Sequence, residues 1–278
     1  MQRCCFRLAT GTHDFETRFE REARAIARLD HPNCVRVLDY GHSNGYHFIA
    51  MELLQGETLG SALRAGPLSI VRALHVARGV LSALGHAHRH GILHRDVKPE
   101  NIVLTGGRAV LIDFGLAALC DEASMTGAGM CLGSPSYIAP ERLLGRRFDG
   151  RTDLYAVGVI LYEMLAGVRP FNGKSPEETM NLALRRPARP LRACRRDLPR
   201  GLDLVVQRAL AKEPERRFAD AEDMLLALGD VGVLDDDEPG IVLQRAEEAS
   251  TTALVTFRQP PWWLRLWGWL RYGGWRWA

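Results

Sequence analysis

The chain has no Cys-x-x-Cys pair, although it holds six cysteines in 278 residues: Cys4, Cys5, Cys34, Cys120, Cys131 and Cys194. With this chain length, that excludes a small disulfide scaffold and the usual spacing of a structural zinc site; it points to a reducing, cytoplasmic setting. No uncharged apolar run reaches about 18 residues, so no conventional membrane span is expected. The first residues lack an apolar signal segment. A net charge of only +3 is too small to argue for nucleic acid as a partner. No internal repeat is visible. Between Met1 and Glu22 there is no lysine. What remains is ordinary: 46% hydrophobic and 25% charged residues, enough for one large core or two small ones.

The densest chemistry lies in His94-Arg95-Asp96-Val97-Lys98-Pro99-Glu100-Asn101, followed twelve residues later by Asp113-Phe114-Gly115. Three short apolar runs surround these groups: Gly91-Ile92-Leu93, Ile102-Val103-Leu104 and Ala109-Val110-Leu111-Ile112. Runs of this length, bounded by Gly and polar residues, predict buried strand pieces with the polar groups on the loops between them. Such a set suits phosphoryl transfer. One carboxylate accepts the incoming hydroxyl proton and a lysine steadies the transferred phosphate. An amide and a second carboxylate hold a metal between the phosphates.

Further on come Ala139-Pro140-Glu141 and Asp153-Leu154-Tyr155-Ala156-Val157-Gly158. In this order the four motifs resemble those of the bacterial serine/threonine protein kinases of the eukaryotic type, over about residues 15 to 228. The resemblance implies an α+β, two-lobe fold, with an incomplete N-terminal β lobe and a mainly helical C-terminal lobe. It divides the chain into a remnant of the first lobe (1–53), the helical lobe (54–229), an acidic linker (230–259) and a Trp/Arg-rich tail (260–278).

The resemblance also assigns roles. Asp96 is the proton acceptor and Lys98 steadies the phosphate. Asn101 and Asp113 hold Mg2+, and ATP is the nucleotide. Met51 gates the adenine pocket, and the backbone of Glu52 and Leu53 meets the purine edge. Glu22 holds the place of a helix glutamate that pairs with a strand lysine. Arg95 binds a phosphate on the segment 116–138, with Thr126 the best acceptor and Ser124 the second. Ser134 lies beside the substrate hydroxyl. Glu141 and Arg217 pair in the interior, and Asp153 holds the backbone of the 94–101 loop. The implied activity is transfer of the ATP γ-phosphate to Ser or Thr of a protein substrate.

The chain departs from the family at its beginning. The glycine-rich loop is absent, and the nearest basic residues to the missing lysine are Arg3 and Arg7. Arginine's planar fork does not replace an ammonium conservatively. The expected explanation is a truncated or misassigned start. The alternative is a catalytically weak, pseudokinase-like scaffold.

The remaining elements follow from periodicity. Cys4-Cys5-Phe6 fits a strand. A helix starts at Asp14, with Phe15, Phe19, Ala23, Ile26 and Ala27 on one face. Residues 35–40 and 46–52 read as strands around a turn at 41–45. Residues 69–90 and 151–165 read as helices, the first with Val71, Leu74, Ala77, Leu81, Leu84 and His88 on its apolar face. Shorter helices are expected at about 176–185, 201–212 and 218–227. All six tryptophans fall in the last 17 residues, among Arg265, Arg271 and Arg276 and no acid. That composition suits a membrane–water boundary, or docking on a protein partner.

Overall fold

The computed structural model describes residues 3–9, 13–44, 46–114 and 135–231. All of them belong to the compact unit Met1–Leu234. The expected tail, most of the expected linker, and Gly115, Ser124, Thr126 and Ser134 lie outside the described residues.

A small antiparallel sheet comes first. Strand β1 (Arg3–Ala9) and β2 (Val37–Ser43) flank β3 (Tyr46–Glu52). The register sets Cys4 opposite Met51, Phe6 opposite Ile49 and Arg7 opposite Phe48. Helix α1 (His13–Ile26) covers this sheet through Phe19, Ala23 and Ile26, all buried. Phe19 lies with its ring centroid 4.7 Å from that of His47, on β3.

The strand expected over 35–40 is shifted. Val35 N–H donates to the Leu111 carbonyl, and Cys34 forms an isolated bridge to Leu111. These two residues are therefore tied to Leu111, and β2 begins at Val37. The expected turn also shrinks. Gly41, His42 and Ser43 stay paired with Phe48, His47 and Tyr46, which leaves Asn44 at φ 51° to reverse the chain.

The second sheet has the order β4-β5-β6, from β4 (Glu57–Thr58), β5 (Ile102–Thr105) and β6 (Arg108–Leu111). Two of the three apolar runs thus form the expected strands. Gly91-Ile92-Leu93 does not. Ile92 N–H donates to the Ala87 carbonyl and closes the preceding helix, while Gly91 sits at φ 72°. Ile92 is buried as an anchor without a ladder.

Helix α2 (Leu59–Arg64) leads to α3 (Ile70–Arg89), capped by the Ser69 hydroxyl on Arg72 N–H. The buried stripe of α3 runs through Leu74, Ala77, Leu81, Leu84 and Ala87. Val71, expected on that face, is exposed. After α4 (Pro140–Leu143) comes α5 (Arg151–Ala166), apolar on nearly every side and buried almost throughout. Helix α6 (Pro176–Arg185) packs against α4, α7 (Arg200–Ala209) against α5, and α8 (Ala221–Gly229) against α3. Helix α7 stops short of the expected residue 212: Ala211 N–H turns in to the Arg208 carbonyl, and the Ala211 and Lys212 carbonyls beyond the helix accept from Arg217. Helix α8 starts later than expected, where Asp220 caps Asp223 N–H.

Candidate active site

The loop 94–101 is fixed from below by one buried carboxylate. Asp153, in the first turn of α5 and 2% exposed, accepts from His94 N–H and Arg95 N–H, each at 2.9 Å. His88 Nε2 lies 2.8 Å from the same carboxylate. Burial alone would raise this carboxyl's pKa. The hydrogen bond and charge of His88, then those of His94, outweigh burial and hold it below the usual range. His88 was not legible as a partner, because its spacing on α3 looks like one more position of the apolar face.

Fixing two successive N–H groups forces the chain to turn. Arg95 sits at φ 68° and Asp113 at φ 62°, both non-glycine residues in the left-handed region. The two loops are also tied to each other. Ile112 N–H donates to the Asn101 carbonyl at 2.9 Å, and His94 Nε2–H donates to the Ile112 carbonyl at 2.8 Å. His94 is fully buried, lies tilted at 58° to the Phe114 ring with centroids 4.9 Å apart, and has its pKa lowered chiefly by desolvation.

Above this base four polar side chains converge. Lys98 Nζ reaches Asp96 Oδ2 at 2.5 Å. Asn101 Nδ2 donates to the Asp96 carbonyl at 2.9 Å and to its Oδ2 at 3.2 Å. That fixes the amide's orientation and leaves Asn101 Oδ1 as the acceptor for a ligand. Asp113 is close enough to feel both Lys98 and Asp96; its carboxyl is pushed up to about 6, first by desolvation, with Lys98 opposing and Asp96 assisting.

This donor set fits a small hard cation. A carboxylate that resists ionisation beside another carboxylate is stabilised by a positive ion, and magnesium needs few protein oxygens because phosphates and water complete its shell. Among the described residues no cluster of three or more His, Cys, Asp or Glu could hold a metal. The raised Asp113 pKa has a consequence for stability. A carboxyl whose folded pKa lies above its ordinary 3.8 binds its proton more tightly folded than unfolded, so its charge destabilises the fold at neutral pH and the penalty fades as pH falls through 6. Asp113→Asn is therefore expected to melt higher than the unaltered chain at pH 7.5 without added cation, with the gap closing toward pH 4. A lower melting point at pH 7.5 would contradict this.

The other expected residues lie as follows. Met51, Glu52 and Leu53 are half-buried at the end of β3. The Glu52 N–H already donates to the Arg36 carbonyl, and its carboxylate accepts from Arg36 N–H at 2.9 Å. Glu22 pairs with its neighbour Arg21 at 3.0 Å, and β1 carries no lysine for it. Arg95 and Arg142 both lie over the Phe148 ring, at 5.8 and 5.4 Å from its centroid. Arg142 also donates to the Arg95 carbonyl, a contact not foreseen from the sequence. Among the described residues, the buried Nε of Arg95 has no hydrogen-bond partner. Glu141 and Arg217 form a bidentate pair at 2.8 and 2.7 Å, both nearly without exposure.

A model of the protein kinase domain matches residues 6–226. The chain is 38% identical over 252 residues to serine/threonine-protein kinase PknH of Mycobacterium bovis, covering 89% of this chain and 42% of that protein. It is 36% identical over 217 residues to serine/threonine-protein kinase PrkC of Bacillus subtilis, covering 76% of this chain and 33% of that one. Among solved structures, a double mutant of the Mycobacterium tuberculosis PknI kinase domain superposes with a TM-score of 0.65 at 32% identity, covering 82% of this chain and 84% of that one. The chain thus spans less than half the length of these two curated relatives.

Proposed function

The chain belongs to the protein kinase family, and from that premise we propose that it transfers the terminal phosphate of ATP to serine or threonine hydroxyls of proteins. The observation that carries this reading is the convergence of Lys98, Asn101 and Asp113 on Asp96. Asp96 takes the proton of the attacking hydroxyl as the new O–P bond forms. Lys98, held against Asp96, is placed to follow the charge of the moving phosphoryl group. Asn101 Oδ1 and the Asp113 carboxylate would hold Mg2+, which when bound offsets charge on the phosphates. At the other end of the nucleotide, Met51 would gate the adenine, and the backbone of Glu52 and Leu53 would meet its edge. The Glu52 N–H is engaged by Arg36, so its carbonyl is the better candidate.

The test is direct. Incubated with γ-labelled ATP, Mg2+ and a generic basic protein, the chain should leave label on phosphoserine or phosphothreonine. Mass spectrometry of the same sample should find phosphate on Thr126 or Ser124. The Arg95 Nε, without a partner among the described residues and with Arg142 beside it, supports that regulatory site, since arginine forks suit phosphate. Ser134 would then stand next to the substrate hydroxyl. No label on any residue would favour the second reading, a non-catalytic scaffold. One observation speaks for that reading: β1 offers only arginines, and Glu22 pairs with Arg21.

For location, no helix among the described residues is long and apolar enough to cross a membrane. The tail 260–278 is read as a peripheral contact with anionic membrane, by its tryptophans and arginines. Phosphatidylserine liposomes should sediment the whole chain and not a form ending at residue 259. Equal partitioning of the two forms would remove that reading and leave a protein partner for the tail.

A further inference from the structure

The connection from α6 to α7 concentrates positive charge. Between residues 185 and 200 there are seven arginines and one acid, Asp197, so this stretch is more positive than the whole chain at +3. Asp197 is engaged by Arg195 at 3.1 Å, and Arg195 also donates to the Leu68 carbonyl. Arg185, Arg186, Arg192, Arg196 and Arg200 are exposed, and none of their guanidinium groups has a hydrogen-bond or ion-pair partner among the described residues. A solvated charged face normally mixes signs, because neighbouring like charges repel.

The backbone beneath these charges is well held. Ala188, Leu191 and Leu198 are buried between the arginines. Leu191 N–H donates to the Asp203 carboxylate at 2.8 Å, Gln207 Nε2 to the Arg189 carbonyl, and Arg189 itself to the Ala193 carbonyl. Pro187, Pro190 and Pro199 limit the chain further. A segment anchored this way adds little backbone ordering cost when its guanidinium groups bind a ligand.

We propose that the 185–200 segment is a docking surface for an acidic stretch of the protein substrate. This rests on the kinase reading above. Helix α6, which delivers the chain to this segment, packs against the Pro135–Tyr137 turn, and that turn directly follows Ser134. A substrate that follows α6 from that turn would meet the arginines at the C-terminal end of the helix. The planar fork of arginine matches a carboxylate with two parallel bonds. Anionic membrane is the less suitable partner, because between residues 185 and 200 no large apolar side chain is exposed to insert.

The experiment uses the full chain and two fluorescein-labelled peptides. Each carries one serine, followed by a run of Asp and Glu in one and by Asn and Gln in the other. Fluorescence anisotropy should give about tenfold tighter binding of the acidic peptide, a gap that narrows with added salt. Arg192→Glu with Arg196→Glu should abolish the preference, and Arg192→Gln with Arg196→Gln should weaken it, both at an unchanged melting temperature. Equal binding of the two peptides by the unaltered chain would overturn the proposal. So would a variant that keeps the preference, or one that loses only its binding to phosphatidylserine vesicles. Phosphorylation is read separately. A chain that prefers the acidic peptide but labels neither keeps the docking surface and loses the kinase reading. A chain that labels the neutral peptide but shows no preference does the reverse.

Discussion

Replacing Arg217 by methionine should destabilise the folded chain by about 3–5 kcal/mol, the cost of leaving a buried carboxylate without its partner. Glu141 would be that carboxylate. It is 4% exposed, accepts two bonds from Arg217 and one from the Thr152 hydroxyl at 2.7 Å. Arg217 in turn donates to the carbonyls of Ala211, Arg151 and Lys212, and lies 4.9 Å from the Tyr155 ring centroid. One guanidinium thus joins the start of α5, the end of α7 and the segment that follows residue 134. Methionine keeps the bulk and removes every donor. Adding Glu141→Gln to the Arg217 variant should recover only part of the loss, because the three carbonyls still lack their donor. Urea unfolding of the unaltered chain and both variants measures this; a single variant within about 1 kcal/mol of the unaltered chain would contradict it.

The same pair sets an acid limit. Burial pushes the Glu141 carboxyl up, but the hydrogen bonds and charge of Arg217 more than offset it, and the folded pKa lies below the ordinary 4.5. A depressed carboxyl contributes stability above its unfolded pKa and loses that contribution as pH falls through the folded value. Asp153 adds a loss of the same sign.

Asp96→Asn should leave the fold intact and lower the rate of phosphate transfer by about 10²–10⁴, the usual range for a positioned general base. Asparagine has the same shape, and Asp96 is only half-buried. Its carbonyl can still accept from Lys98 and Asn101. What disappears is the basic oxygen for the substrate proton. The loss should fall on kcat, with KM for ATP little changed. Thermal melting of the variant should match that of the unaltered chain; equal transfer rates would sink the assignment.

The helical lobe was largely legible because its signals are local. Ser69 caps α3 and Ser175 caps α6, and α6 spans the expected 176–185. Element ends were less legible where a distant group decides them. Leu111 takes the N–H that would have placed Val35 in β2. In the site, the polar quartet could be picked out by order and spacing. His88 and Arg142 could not, since their partners Asp153 and Arg95 lie 65 and 47 residues away in the chain. The left-handed turns at Arg95 and Asp113 were hidden for the same reason. They arise from Asp153 and from the tie between Ile112 and Asn101, not from any glycine.

The central claim is that Asp96, Asn101 and Asp113 gather around the terminal phosphates of a nucleotide with its cation. Calorimetric titration of a non-hydrolysable ATP analogue into the unaltered chain and into Asp113→Asn, each with and without Mg2+, tests it without requiring turnover. The expected result is that Mg2+ tightens binding to the unaltered chain and has little effect on the variant. Identical affinities in all four titrations, or an equal magnesium effect on both proteins, would contradict it.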